Sequence, residues 1–82
     1  MRKSTGNYVV EKRSTREDVT ISVLYTGDWA GGEPVEIFFD DRAEGQAAWK
    51  SLQGDFDVAE LLQAHGFDAF GNHVGRKMRS WP

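Results

Sequence analysis

The hydrophobic period of this chain changes once, between Glu33 and Gly66, and that change constrains the fold more than any other feature. Val35, Ile37 and Phe39 alternate with Glu36, Phe38 and Asp40. A period of two in β-branched and aromatic residues reads as a half-buried strand. Pro34 suits the strand's first position, where no ladder donor is needed. From Asp41 onward the apolar residues recur at helical spacing. Gly45, Ala48, Trp49 and Leu52 share one face, and Asp41 with Glu44 three residues on has capping-box spacing. Gly54 reads as the end of this helix. A second helix is expected to open on Asp57, with Glu60 completing another box and Phe56 and Leu61 spaced as a hydrophobic staple. Val58, Leu61, Leu62 and His65 make its apolar stripe. Gly66 suits a left-handed cap, and Phe67 is placed to pack back onto the helix.

Upstream, Val19, Ile21, Val23 and Tyr25 alternate with Thr20, Ser22, Leu24 and Thr26, the clearest strand in the chain. Tyr8 to Lys12 reads as an earlier strand, joined to it as a hairpin through the polar turn at Arg13 to Glu17. Residues 26–34 form a loop rich in turn formers around Trp29. The order strand, strand, strand, helix, helix predicts an α+β fold: a three-stranded antiparallel meander with two helices packed on one face. Residues 73–81 read either as a short fourth, C-terminal strand at the sheet edge, giving βββαα(β), or as a loose basic tail, with the strand slightly favoured. One domain spanning 1–82 is expected, with 1–6 and about 76–82 frayed. The chain begins at Met and carries no tag-like tract, so it reads as a complete small gene product.

The sequence has no cysteine, which excludes a disulfide framework, a thiolate metal site and a thiol nucleophile. Its two histidines do not suggest a structural zinc site. No apolar run approaches the ~18 residues of a membrane span, and the basic N-terminus lacks the apolar core of a secretory signal. The expectation is a soluble cytoplasmic protein with no metal, no cofactor and no membrane association.

The net charge of −3 is unevenly spread. Residues 1–16 set Arg2, Lys3, Lys12, Arg13 and Arg16 against Glu11. Residues 17–70 set twelve acids against Arg42 and Lys50. Arg76, Lys77 and Arg79 make the C-terminal end basic. Such asymmetry is a clue to partners rather than to fold. Asp28, Glu33, Glu36, Asp40, Asp41, Glu44, Asp55 and Asp57 are the candidate acidic surface for a protein partner with a basic site. Helix capping is the competing explanation for Asp41, Glu44, Asp57 and Glu60. The carboxylates do not have the spacing of a calcium loop.

Trp29 and Phe38 are candidate apolar contacts: Trp29 in a glycine-rich loop suits a binding hot spot, or it closes the end of the core. Val9, Leu24 and Phe38 are expected on the sheet face away from the helices, where they would form a patch for a partner or a homodimer, unless the C-terminal segment with Met78 and Trp81 covers it. Arg76, Lys77, Arg79 and Trp81 could contact nucleic acid, although a solvated tail lying on the acidic body is the plainer reading. His65 and His73 with nearby acids would suit a small nuclease-like toxin, but no spacing supports catalysis and no serine or glycine motif matches a nucleophile elbow or phosphate loop. The leading expectation is a non-enzymatic, acidic interaction module. It suits a phage or mobile-element accessory protein that inhibits a host nucleic-acid-handling or defence complex by occupying a basic site. A nucleic-acid-binding protein using the C-terminal segment and a nuclease-like toxin are the alternatives.

Overall fold

The computed structural model describes residues 1–27 and 33–72. The element order is β1 (Arg2–Ser4), β2 (Tyr8–Ser14), β3 (Val19–Tyr25), β4 (Val35–Phe39), α1 (Arg42–Ser51) and α2 (Asp55–Ala64). The strands form one antiparallel sheet in the order β1-β2-β3-β4. The fold is therefore the α+β meander with two following helices that the change of period predicts.

The fourth strand lies at the N-terminus, in residues expected to fray. The C-terminal candidate at 73–81 lies outside the described residues. Alternation could not reveal β1, because its one inward side chain is Lys3 rather than an apolar residue. The Lys3 ammonium donates to the carbonyls of Trp49 and Leu52, both at 2.9 Å. Both carbonyls lie at the C-terminal end of α1, beyond the regular helical bonding, where the helix dipole also favours a cation. The Lys12 amide donates to the Met1 carbonyl at 2.8 Å, which extends the pairing to the first residue.

Alternation puts Val10, Val19, Ile21, Val23, Val35, Ile37 and Phe39 on the helix side, and all are buried with Trp49, Leu52, Val58 and Leu62. Tyr25 and Leu61, also expected inward, are part-buried against this core. Gly45 faces β3 at such close range that a Cβ there would lie 2.5 Å from Val19 Cβ. The small residue thus sets how closely α1 approaches the sheet.

Asp41 caps α1 as expected, accepting from the amides of Ala43 at 2.9 Å and Glu44 at 3.3 Å. The helix stops at Ser51, ahead of Gly54: Leu52 turns extended and its amide returns to Trp49 O. Gly54 is instead the N-cap of α2, three residues before the Asp57 cap that its sequence signals suggest. Asp57 therefore sits in the first turn and reaches back to the amides of Gln53 at 3.0 Å and Gly54 at 3.1 Å. Gly54 has no side chain to reciprocate, so only this half of the box forms. The shift also dissolves the Phe56–Leu61 staple, and Phe56 is 76% exposed.

The end of α2 is as the sequence predicts. Gly66 takes φ 88°, its amide donates to Gln63 O, and the Phe67 amide donates to Leu62 O. That is a Schellman arrangement, with Phe67 packed on the core. His65 departs from expectation: it caps the helix on the surface and lays its ring against Phe39 at 5.5 Å between centroids.

Candidate functional site

The strand register arranges the candidate residues on two surfaces, the open face of the sheet and the end of the sheet near Val19. On the open face, alternation lines up three rows across the strands. Ser4, Val9 and Leu24 form one row; Arg2, Glu11, Ser22 and Glu36 form the next; Arg13, Thr20 and Phe38 form the third. Arg13 reaches over β3 to Glu36 at 2.8 Å, an ion pair that confirms both side chains on this face. Val9 and Leu24 are direct cross-strand partners and half-buried. Phe38 is 60% exposed. The expected patch of Val9, Leu24 and Phe38 is therefore divided: the row of Arg2, Glu11, Ser22 and Glu36 runs between the first two residues and Phe38.

At the end of the sheet, Val19 pairs with Phe39. This pairing sets the β2–β3 turn, with Glu17 and Asp18, at the same end of the sheet as the β4–α1 corner, with Asp40, Asp41 and Glu44. Asp18 is engaged with Thr15, which closes the turn, and Asp41 caps α1. Glu17, Asp40 and Glu44 are exposed and make no side-chain hydrogen bond or ion pair among the described residues. Glu17 was not among the sequence candidates. Only the hairpin register, which carries Glu17 to the same end of the sheet as the β4–α1 corner, could have found it. Phe38 lies two residues before Asp40, on the open face at this same end.

Other candidate acids hold the fold together. Asp55, expected on the binding surface, accepts from Thr5 Oγ1, from the Asn7 amide at 3.0 Å and from Asn7 Nδ2 at 2.7 Å. These bonds tie the start of α2 to the β1–β2 turn. The Thr5 hydroxyl, followed by the Asn7 amide, holds the Asp55 carboxyl below its ordinary range. Asp57 is likewise committed to the α2 start. Asp68 accepts from the amides of Phe70 and Asn72, both at 2.9 Å, and organises the turn after α2. Partial burial works to raise Asp68, but the bonds from Asn72 and Phe70 outweigh it and leave the carboxyl lowered. Glu36 is ion-paired, while Glu33 is exposed beside Pro34.

Beyond this turn, Tyr8, Tyr25 and Phe70 stack edge to face, with centroids 5.5 and 5.1 Å apart. The Tyr8 hydroxyl donates to Ala69 O. Burial, then the Asp55 charge, pushes the Tyr8 phenol up.

The N-terminal basic residues are largely committed too. Lys3 and Lys12 lie over the Trp49 ring at 4.6 and 5.9 Å from its centroid, and Lys12 also donates to Gln46 Oε1 at 2.6 Å. Arg13 is bound to Glu36. His65 meets an aromatic ring, with no carboxylate bonded to it among the described residues. No three His, Asp or Glu side chains among the described residues converge as metal ligands, and no described helix is long and apolar enough to cross a membrane. Asp28, Trp29, His73, Arg76, Lys77, Arg79 and Trp81 lie outside the described residues. Compared with protein-family models, curated proteins and solved structures, the chain matches none.

Proposed function

We infer that this protein works by binding rather than by catalysis, as a small acidic module that docks on the basic surface of a protein partner. The observation that carries this reading is the set of uncommitted carboxylates at the Val19 end. Glu17, Asp40 and Glu44 come from two separate connections, and no cap, ion pair or hydrogen bond among the described residues uses their side chains. Exposed Phe38 supplies an apolar contact at the same end. An aromatic beside several unpaired charges gives both long-range steering and a desolvated anchor. A nucleic-acid-handling or defence complex has the basic site such a surface would occupy, and a phage or mobile-element accessory protein that inhibits it is the role we propose.

The test uses the triple variant Glu17→Gln, Asp40→Asn, Glu44→Gln, which removes charge and leaves every described bond in place. Tagged wild type and variant are incubated with nuclease-treated bacterial lysate and washed at low and high salt. Wild type is expected to retain a basic protein complex at low salt and lose it at high salt, and the variant to lose it at both. Equal retention by the two proteins at low salt would refute the reading.

A further inference from the structure

We propose that the open face of the sheet is a self-association surface that takes a second copy of this chain. Both helices lie on the opposite face, so among the described residues nothing covers this one. Its ionised side chains are Arg2, Glu11, Arg13 and Glu36, two of each sign. The face is thus electrically neutral on a protein of net charge −3, and two copies can approach through it without the repulsion that most of the acidic body would impose.

The register makes the face complementary to itself. Arg2 and Glu36 occupy opposite ends of one row, three strand spacings or about 14 Å apart. A two-fold axis parallel to the strands, lying between β2 and β3, exchanges the ends of that row. It sets Arg2 of each copy over Glu36 of the other, twice by symmetry. The same axis sets Val9 of each copy over Leu24 of the other in the neighbouring row. Aligned sheets pack about 10 Å apart, a gap that an extended Arg and Glu span together. An axis across the strands fails, because it places Glu36 on Glu36 and Glu11 on Glu11.

Phe38 has no counterpart at the β1 end of its row, so the arrangement leaves it outside the apolar contact. It remains available at the acidic end, and the dimer and the partner surface can be tested apart. The paired rows cover only a few hundred Å², below the roughly 800 Å² per partner of a standard interface. The dimer is therefore weak and reversible.

Sedimentation equilibrium across about 10 μM to 1 mM, the range of a weak interface, should show a monomer–dimer equilibrium. Leu24→Lys, which acts twice in the dimer, should weaken it by about tenfold or more. Arg2→Glu alone and Glu36→Arg alone each create two like-charge contacts and should remain monomeric. An equimolar mixture of those two variants should dimerise, because a mixed pair restores both opposite-charge contacts. Circular dichroism of each variant verifies the fold. The triple acidic-end variant should dimerise like wild type. Wild type monomeric at 1 mM, a dimer indifferent to Leu24→Lys, or a mixture that stays monomeric would each overturn the proposal.

Discussion

Replacing Gly45 by alanine should destabilise this protein, although the same change in an exposed helix interior stabilises by about 1 kcal/mol. The added Cβ would lie 2.5 Å from Val19 Cβ and 2.9 and 3.0 Å from its two methyl groups. Ordinary carbon contacts are about 3.5–4 Å. Rotation about χ1 cannot relieve the shortest contact, because Val19 Cβ is fixed to the backbone of a central strand. Helix α1 must instead lift from β3 by about 1 Å, disturbing the packing of Trp49 and Leu52. Overpacking of this kind costs about 1–3 kcal/mol, and three close contacts to one side chain point to the upper end. After the propensity gain, the net loss is about 2 kcal/mol, much of the few kcal/mol expected for a domain of this size. The assay is urea unfolding followed by tryptophan fluorescence, with a lower midpoint and an unchanged m value. The melting temperature should fall by about 8–16 °C. Val19→Ala removes the two methyl contacts, though not the one to Cβ, and so relieves part of the clash. The double variant should therefore be more stable than the sum of the single effects by about 1 kcal/mol or more. A neutral or stabilising Gly45→Ala, or strictly additive effects, would refute the packing argument.

The lowered Asp55 carboxyl has a folded pKa below its unfolded value of about 3.9. Its stabilisation is full above that value and is lost as the pH falls through the folded pKa. Wild type should lose urea resistance below about pH 4. Asp55→Asn should be weaker at neutral pH and flatter on acidification, with Asp68 still contributing in the same direction. Lys3→Met keeps the aliphatic stem but removes the bonds to Trp49 O and Leu52 O, and should cost about 1–2 kcal/mol in urea unfolding. Phe56→Gln should change stability by no more than about 0.5 kcal/mol, because the side chain is solvated and forms no staple.

The parts of the fold that the sequence revealed are those governed by apolar period. Val19, Ile21, Val23, Val35, Ile37 and Phe39 identified their strands and their inward face, and Gly45, Ala48, Trp49 and Leu52 identified the face of α1. The hidden parts are polar. Strand β1 has a lysine at its inward position, so its role depends on carbonyls 46 and 49 residues away. The start of α2 differs from the Asp57 cap that the sequence suggests, because an aspartate suits the first turn as well as the cap. Where α1 releases the chain decides it: release at Leu52 makes Gly54 the N-cap and puts both aspartates in the first turn. The candidate site was half legible for the same reason. Composition found the acids, but only pairing across the sheet separates Glu17, Asp40 and Glu44 from Asp55 and Asp57, which the fold consumes.

The clasp between the β1–β2 turn and Asp55 also bears on the order in which this chain can mature during synthesis. Hairpins β2–β3 and β3–β4 join near neighbours and can close early. Strand β1 can pair with β2 early as well, but its anchors arrive late: Lys3 waits for Leu52, and Thr5 and Asn7 wait for Asp55. Until those residues have left the ribosome, the first strand is a frayable edge on an incomplete sheet with no Trp49 beneath it. Strand β1 is thus made before the rest of the sheet and is among the last elements to be secured. A fusion or truncation there acts on the closing step of folding rather than on a dispensable tail.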